Sequence, residues 1–295
     1  MESPFFIVGA PRSGTTLLRL MLNRHSRLCV PPESHFIVEL YEKLGENVSR
    51  RQFWAALSLH PRFLEWKLDA AAVRRKLDGV RCDWRSLWEV VFREYAQTKG
   101  KLRWGDKTPD YVEHLDLLHG IFPDAQMIHI VRDGRDVACS LKETPWYNGS
   151  LMEIASLWRR TVTEGRVQGC VLGKEGYFEV LYRDLVREPE RNLRAICRFL
   201  GERFEPDMLS YHRDAEQEIP RHRQAWHART KQPVSTKRIG RWRSELSATE
   251  VEQFESHCGQ LLAELGCELQ NKQHAAVGLR RSKARWSFSG RLCRG

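Results

Sequence analysis

The segment Gly9-Ala-Pro-Arg-Ser-Gly14-Thr-Thr16 constrains this chain more than any other. It follows a short apolar run, Phe5 to Val8, and precedes Leu17, Leu18, Met21 and Leu22 at helical spacing. An apolar run, a glycine loop and an amphipathic helix, in that order, are the opening unit of an α/β fold. The G-x4-G spacing lets main-chain N–H groups wrap a phosphate while the following helix N-terminus adds its dipole. In a loop that splits nucleoside triphosphates the residue after the second glycine is a lysine that reaches the terminal phosphates; here it is Thr15. The positive charge sits at Arg12 instead, and its fork of donors suits a phosphate or sulfate oxyanion.

Further along, Ala125 to Val131 reads as a second buried strand ending at Arg132-Asp133-Gly134-Arg135-Asp136, with a helix starting at Val137 and Leu141. Ile154, Leu157, Trp158 and Val162 mark a long amphipathic helix, Tyr177 to Tyr182 another strand, and Leu193, Ile196, Cys197 and Leu200 another helix. The stretch from Glu33 to about Gly100 carries helix signals and reads as an insertion between strands. From Pro206 to Trp242 periodicity is lost, and function or mobility must account for so long a loop. Helix returns at Ser247, which with Glu250 forms a capping-box pattern.

Composition sets outer bounds. The 295 residues, 41% apolar and 29% charged, suit a globular protein and exclude a disordered polymer or a small disulfide-stapled domain. Eight cysteines are scattered without a CxxC pair, so neither a zinc site nor a disulfide framework is expected. The net charge is +10, but seven basic residues and no acid fall between Asn271 and the C-terminus, so basicity is no argument for a nucleic-acid partner. No run of about 18 apolar residues exists to span a membrane. The opening residues carry no basic leader before an apolar stretch, and a cytoplasmic, reducing setting is expected.

Several motifs in order carry a resemblance: Pro11-Arg12-Ser13-Gly14-Thr15-Thr16, Pro31-Pro32-Glu33, Trp104-Gly105-Asp106-Lys107-Thr108-Pro109, Val131-Arg132-Asp133-Gly134-Arg135-Asp136 with Ser140, Tyr182-Arg183-Asp184, and Ile239-Gly240-Arg241-Trp242. Together they resemble the sulfotransferases that use 3'-phosphoadenosine 5'-phosphosulfate (PAPS), in particular the branch of bacterial and tyrosylprotein enzymes. The resemblance implies a three-layer αβα sandwich of the P-loop type, with a mostly parallel central sheet and helical insertions on the acceptor side. It implies one domain over residues 1–270, followed by a basic tail, 271–295.

The resemblance also implies roles. Arg12, Ser13, Gly14, Thr15 and Thr16 would hold the 5'-phosphosulfate; Arg132 and Ser140 would grip the 3'-phosphate, helped by Lys237 or Arg238 from a late loop. Tyr182 would lie near the adenine. Glu33 would be the general base, with Lys107 and Arg12 stabilising the charge that develops on transfer. PAPS would be the donor, 3'-phosphoadenosine 5'-phosphate (PAP) the product, and no metal would be required. Two other readings of Glu33 and Lys107 are a helix-start residue and a residue flanking the helix near Pro109. His60 and His114 are the alternative bases.

The expected acceptor is a hydroxyl on a small molecule or glycoconjugate rather than a polypeptide tyrosine, with no nucleic acid involved and a monomer or homodimer as the working unit. The aromatic residues Tyr41, Trp54, Trp66, Trp84, Trp88, Trp146, Tyr147 and Trp158 fit sugar, phenol or lipid acceptors equally well. The competing classes are a P-loop phosphotransferase resembling a kinase and a non-catalytic nucleotide- or polyanion-binding protein. Thr15 and the Arg132–Ser140 pair oppose the first, and the presence of Glu33 and Lys107 opposes the second.

Overall fold

A computed structural model describes residues 2–220 and 230–271. Five strands, β1 (Phe5–Val8), β2 (Leu28–Cys29), β3 (Arg103–Lys107), β4 (Gln126–Val131) and β5 (Tyr177–Leu181), form one sheet in the order β2-β3-β1-β4-β5. Every pairing is parallel, so each connection must cross over, and helices fill the crossovers. The sheet is thus wholly parallel where the sequence led us to expect a mostly parallel one.

The alternation of side chains along β1 builds the three layers. Phe6 and Val8 join one buried cluster with Phe36, Trp88, Phe92 and Phe122, while Phe5 and Ile7 join another with Leu18, Leu22, Leu193 and Ile196. A strand covered on both faces reads as a continuous apolar run, which is why FFIV was legible as β1. The insertion between β2 and β3 is helical as expected, with helices at Phe36–Leu44, Arg50–Leu57, Pro61–Glu65, Ala70–Asp78 and Trp84–Thr98.

That layer corrects one expectation. Trp66, Trp84, Trp88 and Trp158 are buried, with Phe36 stacked on Trp88 and Phe92 on Trp104 at ring separations of 5.2 and 4.4 Å. Trp66, Trp84 and Trp88 hold the insertion onto the sheet, Trp158 packs against Phe254 on the other side of the fold, and none of the four can also face an acceptor. Trp146, by contrast, is half exposed.

The helix Gly134–Lys142 and the long helix Leu151–Gly176, which breaks at Gly173, pack with Ala248–Glu264 in a third cluster through Leu141, Trp158 and Phe254. Ser247 and Glu250 make the expected capping box at the start of the last of these. Among the described residues no helix is long and apolar enough to cross a membrane, and the seven cysteines are free thiols. The basic tail beyond Asn271 lies outside the described residues.

Candidate functional site

The C-terminal ends of β1, β3 and β4 meet at the loop Gly9–Gly14, where ligands bind in open parallel sheets. Two glycines let the loop close down. A Cβ on Gly9 would stand 2.4 Å from the Ile130 carbonyl oxygen, and one on Gly14, at φ +105°, would stand 2.6 Å from the Tyr182 ring. The helix Thr15–Asn23 then begins with Gly14 as its N-cap, without a side-chain cap and without an acid in its first turn. Its leading N–H groups and positive dipole end are left to whatever enters the loop.

Positive charge gathers there against a cost. Arg12 holds a left-handed backbone, φ +67°, an uncommon conformation for a branched cation. Its Nε donates to Ser140 Oγ at 3.2 Å, and Arg132 Nη1 donates to the Arg12 carbonyl at 3.1 Å. Burial, and then the neighbouring Arg132, pull the Arg12 guanidinium below its ordinary pKa. Arg132 donates through Nη2 to the Arg238 carbonyl at 2.8 Å and lies over the Tyr182 ring at 4.6 Å. Its buried Nε has no hydrogen-bond partner, nor has the fully buried Ser13 Oγ. Orphaned buried donors of this kind fit a bound oxyanion. The residues present therefore fit a phosphosulfate or phosphate group.

The motif Val131-Arg132-Asp133-Gly134-Arg135-Asp136 explains how Arg132 is aimed. Val131 ends β4, Trp158 Nε1 donates to the Arg132 carbonyl at 2.9 Å, and Asp133 caps the helix Gly134–Lys142 by accepting from the Arg135 amide. Gly134 leaves room for Trp158, whose ring a Cβ there would meet at 2.5 Å. Asp136 accepts from the Gly240 and Trp242 amides, tying the late segment to this helix instead of pairing with Arg132. Trp242 is a packing residue, with the Arg135 guanidinium 3.7 Å over its ring.

The second half of the site stands on β3. Lys107, nearly inaccessible, donates to Thr16 Oγ1 at 3.2 Å and to Glu33 Oε1 in a short ion pair. Glu33 is therefore no helix-start residue: the helix Phe36–Leu44 begins beyond it with His35 as N-cap, and Lys107 belongs to β3 rather than to the turn at Pro109–Glu113. Burial alone would raise the Glu33 carboxyl, but Lys107 and His35 override it and hold it well below the usual carboxylate range. For Lys107 burial dominates and lowers it, against the opposing pull of Glu33. The short contact favours the charged form of both.

A polar network that the sequence did not reveal fixes this pair. Ser34 Oγ donates to Asp106 Oδ2 at 2.6 Å and lies 3.0 Å from the Tyr111 hydroxyl, while the Ser34 amide donates to Thr108 Oγ1 at 3.2 Å. Asp106 is fully buried, which pushes its carboxyl up to about 6. The only hint in the sequence was the clustering of Ser, Asp, Thr and Tyr around Glu33 and Lys107, and polar residues in loops are too common to mean much.

The remaining candidates divide. Tyr182 opens the helix Tyr182–Arg187 rather than closing β5, one residue off the expected strand end, yet its ring backs both Gly14 and Arg132. Arg238 reaches Arg132 by its carbonyl, and its guanidinium lies 3.4 Å from Glu143. Lys237 is exposed. His60 caps the helix Pro61–Glu65 and bonds Glu39 at 2.9 Å, and His114 sits between two helical turns; neither shares a hydrogen bond with the cluster. A cavity of about 470 Å³ opens beside Arg132, Tyr182 and Gly240.

Comparison with known proteins places this arrangement. The profile described as the sulfotransferase family matches residues 4–206, which include the phosphate loop, Glu33, Lys107, Arg132, Ser140 and Tyr182. The chain belongs to the sulfotransferase family. Among its relatives, nodulation protein NoeE of Sinorhizobium fredii is 27% identical over 293 residues, covering 92% of this sulfotransferase and 67% of that protein. Protein-tyrosine sulfotransferase 1 of Danio rerio is 29% identical over 202 residues, 66% of this chain and 52% of the relative. This sulfotransferase thus spans two thirds of the first relative and about half of the second. The sulfotransferase domain of the Synechococcus PCC 7002 olefin synthase superposes with a TM-score of 0.64 at 25% identity, covering 91% of this chain and 97% of that one.

Proposed function

We propose that this chain transfers the sulfuryl group of PAPS to a hydroxyl on a small molecule or glycoconjugate, releasing PAP, with residues 1–270 as the catalytic unit and 271–295 as an appended basic tail. The observation that carries the reading is the juxtaposition of two charged clusters at one strand edge. Arg12, Ser13, Arg132 and Ser140 form an anion receptor, and Lys107 bridges its helix, through Thr16, to a carboxylate.

The donor supplies the sulfuryl group; the chain's own residues bind, orient and move the proton. Arg12, Ser13, Gly14, Thr15 and Thr16 would hold the 5'-phosphosulfate, and Arg132 with Ser140, joined by Arg238, the 3'-phosphate. Tyr182, wedged between Gly14 and Arg132, would border the adenine. Glu33 takes the proton of the acceptor hydroxyl. Its low proton affinity in the resting pair with Lys107 makes it a poor base until Lys107 is drawn toward the negative charge that gathers on the leaving side. Releasing Lys107 therefore both stabilises that charge and frees the base. Lys107 and Arg12 supply cationic charge that a metal often provides in phosphoryl transfer, so the reaction needs no metal.

The test is a transfer assay with labelled donor against sugars, phenols, lipids and peptides, with and without EDTA. Label should pass to a hydroxyl compound at a rate that EDTA leaves unchanged. Transfer of phosphate from ATP with an absolute magnesium requirement would replace this reading with the phosphotransferase one.

A further inference from the structure

His35 stands beside the Glu33–Lys107 pair, and nothing in the reading above assigns it a part. It is the N-cap of the helix Phe36–Leu44, yet its side chain caps nothing, and its backbone is held left-handed at φ +55°. An N-cap residue normally spends its side chain on the helix's first amides. Here the imidazole turns back instead, placing Nε2 3.6 Å from Glu33 Oε2. Its amide points to Thr108 Oγ1 at 3.5 Å, so the polar network under Ser34 and Asp106 also sets this turn.

The two oxygens of Glu33 are thereby divided. Oε1 faces Lys107, whose side chain is 3% exposed, and Oε2 faces His35, whose side chain is 23% exposed. A proton taken up at Glu33 has no way out through a buried ammonium that already carries its full complement. The imidazole side is the more open one.

We propose that His35 is the proton relay of Glu33, a positioning residue that holds the second carboxylate oxygen and carries the proton from this partly exposed base on to solvent. This rests on the reading of Glu33 as base. The acceptor O–H bond breaks as its oxygen bonds sulfur and the bond from sulfur to the departing bisphosphate breaks. Glu33 binds that proton, passes it to an unprotonated His35 Nε2, and is restored as the carboxylate; the imidazolium then gives a proton to water.

Only neutral His35 can accept. The charged groups that face it are Glu33, Asp106 on β3, Asp110 on the turn Pro109–Glu113 and Arg62 on the helix Pro61–Glu65. Burial disfavours the imidazolium, but the Glu33 carboxylate 3.6 Å away outweighs it, so His35 is raised above its ordinary value of 6.5. Turnover should accordingly rise through neutral pH as His35 loses its proton.

Two measurements decide the matter. In the full chain without donor, an NMR titration of the His35 ring should give a midpoint above 6.5 that falls back in Glu33→Gln; equal midpoints in both would overturn the contact. In turnover, His35→Asn is the informative variant, because asparagine tolerates the left-handed backbone but does not titrate. It should lower kcat about tenfold, keep donor affinity within about twofold, flatten the rise through neutral pH and recover in part with added imidazole. A wild-type pH profile in His35→Asn would overturn the inference. An active Glu33→Gln would instead remove the base on which it stands.

Discussion

Arginines crowd both ends of the parallel sheet, and the two ends treat them differently. Where the strands begin, Arg103 donates to the Ser3 carbonyl and to Gln126 and lies 3.6 Å from Glu202, while Arg27 pairs with Glu2 and with Glu202. Acids face these cations, and a cavity of about 610 Å³ there is lined by Arg27 and Arg103 together with their partners Glu2 and Glu202. Where the strands end, Arg132 spends its bonds on main-chain carbonyls and keeps a buried Nε without a partner, and Arg12 is pressed against it. The smaller cavity lies at that end. Neither arginine count nor cavity size marks a binding site; cationic charge left unmatched at the carboxyl edge of the strands does.

The sharpest way to break this comparison is at Glu33. Glu33→Gln keeps the shape of the side chain and removes the proton acceptor, so turnover should fall by roughly 100-fold or more while donor affinity stays within a few fold. Because His35 and not Glu33 occupies the N-cap, the helix Phe36–Leu44 should remain intact by circular dichroism. Activity near wild type in a folded protein would take Glu33 out of the mechanism.

A crossed pair of variants sharpens the contrast between the two ends. Arg103→Ala leaves the Ser3 and Leu200 carbonyls and the Gln126 side-chain oxygen without their donor in a buried setting and should cost about 2 to 3 kcal/mol of stability in a denaturant melt, with donor affinity unchanged. Arg132→Ala should do the reverse, weakening donor binding about tenfold or more through lost charge-assisted bonds, with little loss of stability because its repulsion of Arg12 also goes. If both variants lost stability and neither lost affinity, the two ends would be equivalent scaffolding.

Much of this contrast could be read before the fold was known, for identifiable reasons. The unit β1, loop and helix shows in the sequence because a strand buried on both faces, a glycine pair and a periodic helix each leave a local mark. Asp133 and Gly134 likewise act within a few residues of where they stand. β2 was missed because Leu28 and Cys29 are too short a run to signal anything. The tryptophans were misplaced because a helical layer on a sheet needs apolar residues for packing just as an acceptor site does, and composition cannot tell inside from outside. The network of Ser34, Asp106, Thr108 and Tyr111 joins residues up to 77 apart in the chain, which only the crossover geometry brings together, and the turn of His35 onto Glu33, though local, rests on the His35 backbone conformation, which the sequence does not show.

The most direct measurement is calorimetric titration of the chain with adenosine 3',5'-bisphosphate and with AMP under identical salt. The unmatched charge of Arg132, set against Ser140 and Arg12, predicts binding of the bisphosphate at least about tenfold tighter, with the difference abolished in Arg132→Ala. Equal affinities for the two nucleotides in the wild-type chain would contradict the account.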